Sequence, residues 1–107
     1  MAPAELEAHL LTHPAVSDTA VIQSHDDRTG EVPKAFVVKS AAFEGKPDSE
    51  VAREICKHVE EHKAAYKWLK GGVEFIDEIP KSPSGKILRR FLRDREREKR
   101  RKQGGRL

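Results

Sequence analysis

The chain has 107 residues, 36% of them charged and 36% hydrophobic, with a single cysteine. That is the size of one domain. It contains no apolar run of the ~18 residues that a membrane span needs, and no charged segment followed by an apolar one, so a secretory leader is not expected. Cys56 stands alone, which excludes an internal disulfide framework and fits a reducing compartment. Enzyme pockets are usually walled by more chain than this, so a self-sufficient enzyme is not expected.

The net charge of +3 hides an asymmetry. Residues 1–80 hold 9 Lys/Arg against 15 Asp/Glu, whereas residues 81–107 hold 12 Lys/Arg against 3 Asp/Glu. A basic end of this kind suits an anionic partner, and it is also what a solvated helix looks like.

Pro3 suits the first turn of a helix, where its missing N–H is not needed. Leu6, Leu10 and Leu11 fall on one face of that helix, and His13-Pro14 ends it. Residues 18–23 are β-rich and predict a strand. A polar stretch from His25 to Glu31, with Gly30, predicts a turn. Residues 34–39 predict a second strand, so the two form a hairpin. After Gly45-Lys46-Pro47, Asp48 or Ser49 is expected to cap a helix running to about Lys63. Val51, Ile55 and Val59 form its buried stripe. Gly71-Gly72 predicts a turn and residues 73–77 a third strand. The segment 80–86 is a loop, and Ile87, Leu88, Phe91 and Leu92 restart a helical stripe. The expected fold is α+β, a small three-stranded sheet packed with helices. A right-handed crossover is expected to set the third strand beside the first.

Three motif-like features bear on chemistry. His58-Val59-Glu60-Glu61-His62 has the H-x-x-E-H spacing of some zinc enzymes. The spacing supplies only two metal ligands, and the helix buries its Val/Ile stripe, so surface histidines with no metal are the expectation. Gly85-Lys86 is not a phosphate loop, because position 80 is Pro and position 87 is Ile. The loop itself is the third feature. Pro80 and Pro83 limit its freedom, and Gly85 permits an unusual φ. They hold Lys86 just before a helix, with Lys81 close in sequence. A lysine ammonium on such a loop can reach phosphate or carboxylate oxygens.

The run 75–90, Phe-Ile-Asp-Glu-Ile-Pro-Lys-Ser-Pro-Ser-Gly-Lys-Ile-Leu-Arg-Arg, closely resembles the last core motif of adenylate-forming enzymes. Acyl-CoA synthetases, 4-coumarate–CoA ligases, firefly luciferase and peptide-synthetase adenylation domains belong to this group. Ala2-Pro3-Ala4-Glu5-Leu6-Glu7 resembles the segment after the interdomain hinge of that group. His13-Pro14-Ala15-Val16 with Asp18 and Ala20-Val21 resembles its first strand, and the run 30–38 its second. Tyr66-Lys67 and the run 69–73 resemble the approach to the third. The resemblance spans residues 2–94, with the 4-coumarate–CoA ligase-like branch nearest in wording.

The resemblance implies a mobile C-terminal domain, residues 1–94, followed by a basic helical or disordered tail, 95–107. The large N-terminal domain, which binds ATP and the acyl substrate, and the hinge lie outside this chain. The implied reaction has two halves. A carboxylic acid attacks ATP to give an acyl-adenylate and pyrophosphate, and a thiol, coenzyme A in the ligase-like branch, then displaces AMP. By match to the motif, Lys86 is the adenylation lysine, held by Pro80, Lys81, Ser82, Pro83, Ser84 and Gly85. Trp68, Leu69, Lys70, Gly71 and Gly72 are implied as a loop lining the thiol channel. ATP, coenzyme A and magnesium are implied for the full-length enzyme, with none bound to this chain, which alone is expected to be inactive. The implied partner is the N-terminal domain. Gly105-Arg106-Leu107 resembles a variant of the peroxisomal Ser-Lys-Leu address, so the location expected is intracellular, cytoplasmic or peroxisomal. The competing reading is a small α+β module that binds nucleic acid through its basic C-terminal helix. It is disfavoured because aromatic stacking platforms are missing.

Overall fold

The computed structural model describes residues 3–26, 30–63 and 69–104. Helix α1 spans Pro3–Leu10, strand β1 Val16–Asp26 and strand β2 Gly30–Lys39. A 3-10 turn at Ala41–Phe43 leads to helix α2, Asp48–His62. Strand β3 is Val73–Phe75 and helix α3 is Arg89–Gly104. The fold is the expected α+β sandwich, with two strands longer than their β-rich cores and β3 two residues shorter than expected.

β1 and β2 form an antiparallel hairpin with Val21 opposite Ala35 and a register shift between Val16 and Asp18. β3 runs parallel to β2, with Val37 opposite Phe75, so the sheet order is β1-β2-β3. The third strand therefore lies beside the second and not, as expected, beside the first. The outer edge of β1 is already taken. The Val21 N–H donates to Glu7 Oε2 at 2.8 Å, and the Val21 carbonyl accepts from Arg89 Nε at 3.2 Å. The crossover through α2 returns the chain to the open edge of β2.

Successive β residues point to opposite faces of the sheet, and the core divides accordingly. Val21, Ala35 and Val37 pack with Leu6 and Leu10 of α1 and with Val51, Ile55 and Val59 of α2. Ala20, Ile22 and Phe36 pack on the other face with Ile79 and with Leu92 of α3. Phe36 is fully buried, worth about 2–3 kcal/mol on its own.

Three local expectations change. Leu11 is 49% exposed, because α1 ends at Leu10 and the next residue leaves the helical face. Phe91 is 52% exposed, and α3 begins at Arg89 because Ile87 instead pairs in a β-bridge with Lys81. Pro47, not Asp48 or Ser49, is the N-cap of α2, without a side-chain cap bond. The Asp48 carboxylate is drawn instead to Lys39 Nζ at 2.7 Å.

α3 is tied to the sheet by charge. The buried Lys34 ammonium donates to Glu74 at 3.0 Å and to Glu96 at 2.7 Å. Glu96 also accepts from Ser24 Oγ at 2.9 Å, and Glu74 from Arg95 and Lys99 at 3.0 and 3.3 Å. Burial alone would raise the Glu74 pKa. These cations, Lys34 first, outweigh it and hold the carboxyl at about 2. None of the described helices is long and apolar enough to cross a membrane.

Candidate functional site

The loop between β3 and α3 is a small closed hairpin built by its own backbone. Lys81 and Ile87 pair across its base, and the Ser82 N–H donates to the Lys86 carbonyl at 2.9 Å. The Leu88 N–H donates to the Pro80 carbonyl, also at 2.9 Å. At the tip, the Gly85 N–H reaches the Ser82 carbonyl at 2.8 Å, closing a turn with Pro83 and Ser84 in its centre. Proline suits the first central position of such a turn, because its φ is already fixed there. Gly85 has φ +88, a conformation that side chains resist, so glycine is the favoured residue before Lys86. Ser82 Oγ shares a bond with Ser84 Oγ at 2.9 Å and accepts from the Lys86 N–H at 3.2 Å.

The two lysines of this loop differ. Lys81 Nζ donates to Asp18 Oδ2 at 2.7 Å, and Asp18 Oδ1 accepts from the Thr19 N–H at 2.9 Å. Lys81 thus pins the hairpin to the start of β1. The Lys86 side chain is exposed, and its ammonium has no hydrogen-bond or ion-pair partner among the described residues. The base of the loop is anchored in the core, with Ile79 buried and Ile87 packed against the Phe36 cluster. Behind it, Arg89 holds both Glu7 carboxylate oxygens, at 2.6 and 2.7 Å. A stiff frame carries one unpaired cation at its rim, suited to an anion brought from outside.

The second predicted loop is only partly a surface feature. Trp68 lies outside the described residues, as do Tyr66 and Lys67. Leu69 is buried in the α1–α2 core, whereas Lys70 is exposed. Gly71 donates its N–H to the Pro33 carbonyl at 2.9 Å, and a Cβ there would stand 2.9 Å from that oxygen and from Lys34 Cβ. The Gly72 carbonyl accepts from the Ala35 N–H at 3.1 Å. The two glycines therefore dock the loop edge-on to β2.

The histidines of α2 acquire neighbours that spacing alone could not provide. His9 stacks on His58, with ring centroids 4.3 Å apart, and His62 lies 5.2 Å from each. His13 meets His58 edge-on at 5.2 Å. Burial lowers the His58 pKa, and the neighbouring His9, His13 and His62 lower it further. His9 and His13 repeat the four-residue spacing of His58 and His62, which was the one signal in the sequence that pointed to them.

Residues 5–86 match the sequence model of the AMP-binding enzyme C-terminal domain. The chain belongs to that family. Among curated relatives, it is 48% identical to an acyl-CoA ligase of Purpureocillium lilacinum over 91% of its own length and 25% of the relative's. It is 52% identical to 4-coumarate–CoA ligase 1 of Glycine max, over 87% of this chain and 30% of that one. Among solved structures, an acyl-CoA synthetase of Brucella canis superposes with a TM-score of 0.82 at 42% identity, covering 92% of this chain and 18% of the other. An anthranilate CoA ligase in complex with anthranoyl-AMP gives 0.77 at 39% identity, over 88% and 18%. The chain thus spans less than a third of the length of these relatives.

Proposed function

We propose that the chain is the mobile C-terminal domain of an ATP-dependent, AMP-forming acyl- or aryl-CoA ligase, in which Lys86 is the adenylation lysine. The observation that carries this reading is the Lys86 ammonium, unpaired among the described residues, on a loop closed by its own backbone hydrogen bonds. In the first half-reaction, a substrate carboxylate oxygen bonds to the α-phosphorus of ATP as the bond to pyrophosphate breaks. Both reactants are anionic. A cation placed between them stabilises the charge that builds up in the transition state. No proton moves to or from it. The turn around Pro83 and Gly85 lowers the entropy lost when the lysine is positioned.

In the second half-reaction, coenzyme A displaces AMP while the domain presents another surface, for which Lys70 and the Gly71-Gly72 backbone are the candidates. Trp68 and Leu69 complete the loop implied by the resemblance, but Leu69 contributes from the core. Residues 1–94 form the working domain in this reading, and 95–107 extend it. Asp18, the carboxylate tied to the Lys86 loop, is engaged by Lys81 and the Thr19 N–H. No magnesium step is therefore assigned to this chain. The acid and ATP sites are assigned to the N-terminal domain, so this chain alone is inactive.

The test is Lys86→Ala in the full-length enzyme. ATP–pyrophosphate exchange is expected to fall by about 100-fold or more, the scale for loss of one positioned electrostatic group. Thioester formation from supplied acyl-adenylate is expected to survive. Equal loss of both half-reactions would remove the assigned role. The nucleic-acid reading gains no support from α3, since Arg95 and Lys99 face Glu74, and Arg101 faces Glu98.

A further inference from the structure

His9, His13, His58 and His62 meet where α1 packs on α2, away from the face that carries Ile79, Ile87 and the Lys86 loop. One ring nitrogen from each of His9, His58 and His62 lies within 4.8 Å of the others. His9 and His58 are half-buried and His62 is exposed, so the cluster opens to solvent on one side.

The hydrogen bonds of these rings set their tautomers. His9 Nε2 faces the His58 carbonyl oxygen at 3.2 Å, which can only accept, so this nitrogen carries the proton. His62 Nδ1 faces the same carbonyl at 2.9 Å and is likewise the donor. Thr12 donates its hydroxyl proton to the His9 carbonyl at 2.6 Å, so its oxygen accepts from His58 Nε2 at 3.0 Å. Each of the three imidazoles therefore donates through one nitrogen to a protein oxygen and keeps a lone pair on the other. That is how metal-binding histidines are oriented: the second nitrogen is fixed by an oxygen acceptor. His13 is arranged differently. Its Nδ1 accepts from the Ala15 N–H at 3.0 Å, which occupies that lone pair and leaves the proton on Nε2. It serves as a wall for His58.

We propose that His9, His58 and His62 form a binding site for a zinc-class transition-metal dication, bridging α1 and α2. Three neutral imidazoles suit zinc, cobalt, nickel or copper, and they offer nothing to magnesium or calcium, which take oxygen ligands. His58 and His62 are one helical turn apart on a single face. His9 supplies the third ligand from another helix, and the remaining coordination position faces water. His9 and His58 lie stacked with their planes 4° apart, so binding requires the two rings to turn out of that stack until their in-plane lone pairs converge on one ion. A bound ion would pin α1 to α2 and stabilise the folded chain by mass action.

The experiment titrates the metal-free 107-residue chain with zinc chloride by calorimetry and follows the thermal midpoint. A parallel titration with cobalt(II) follows visible absorption. The expected result is one zinc per chain, a raised midpoint, and cobalt bands typical of imidazole ligation; magnesium and calcium produce none of these. His62→Gln changes an exposed side chain and leaves the fold intact. It is expected to weaken zinc binding about tenfold or more, as is His9→Gln. His25→Gln, at the histidine of β1, is expected to leave binding unchanged. Two results would overturn the site: no zinc-dependent shift at ~100-fold excess of metal over chain, or binding that survives the His9→Gln/His62→Gln double variant undiminished. An equal loss in His25→Gln would do the same.

Discussion

Glu7 of α1 and Arg89 of α3 meet 2.6 Å apart around the outer edge of β1, and between them they satisfy both backbone groups of Val21. The pair joins the two helical layers that the sheet otherwise separates. It also closes the strand edge to which a third strand would otherwise add.

Arg89→Ala leaves a buried carboxylate and an unmet Val21 carbonyl. The expected loss is about 2–4 kcal/mol, toward the lower end for a broken buried pair because the Arg89 side chain is partly solvated. Glu7→Gln keeps an acceptor for the Val21 N–H and is expected to cost about half as much. Urea denaturation gives both values. A neutral Arg89→Ala would mean that the edge is held by something else.

Glu74 sets the acid limb of stability. Its folded-state pKa, about 2, lies below its ordinary 4.5. The unfolded chain therefore binds the proton first. The stabilisation is complete above about 4.5 and drains away as pH falls towards about 2. Thermal midpoints measured across that window are expected to fall steeply in the native chain. In Glu74→Gln they start lower at neutral pH and change less.

Gly71→Ala and Gly85→Ala separate crowding from strain. At Gly71 a Cβ meets the Pro33 carbonyl and Lys34 Cβ at 2.9 Å, so β2 must shift, with an expected loss of about 1–3 kcal/mol. At Gly85 nothing lies within 4 Å, and only the φ of +88 resists, with a loss of about 1 kcal/mol. Denaturation should rank Gly71→Ala as the worse fold, while pyrophosphate exchange in the full-length ligase should rank Gly85→Ala as the worse catalyst.

Lys81→Ala releases the hairpin from Asp18. A half-exposed pair of this kind contributes up to about 1 kcal/mol, so stability should barely move. Adenylation is expected to drop about tenfold through looser placement of Lys86, and Asp18→Asn should do the same. Were Lys81→Ala as severe as Lys86→Ala, Lys81 would itself touch the reacting groups.

Cys56 is expected to react slowly with alkylating reagents at neutral pH. Burial pushes its thiol up, and Glu60 adds to the shift. Unfolding in urea should restore the ordinary rate, which a thiol-release assay would follow.

Most of this architecture is legible in the residues, because it rests on local periodicity. The Val51, Ile55 and Val59 stripe, the alternation around Val21 and Phe36, and the turn chemistry of Pro83-Ser84-Gly85 each name their own structure. The place of β3 is not legible. It depends on Glu7 and Arg89, 82 residues apart, occupying the β1 edge first. The same limit explains the histidines. The spacing of His58 and His62 marks one helix face, but only tertiary packing supplies His9. It also explains Lys81 and Lys86, which look alike in sequence until Asp18 captures one of them.

The hairpin that carries Lys86 draws its order from main-chain bonds, the fixed φ of proline and the freedom of Gly85. The lysine side chain adds nothing to it. Lys86→Ala should therefore melt where the native chain melts, within about 0.5 kcal/mol. Stability and reactivity, so often in conflict at an active site, are uncoupled at this position. Selection can exchange the side chain at the rim for another without the fold registering the change.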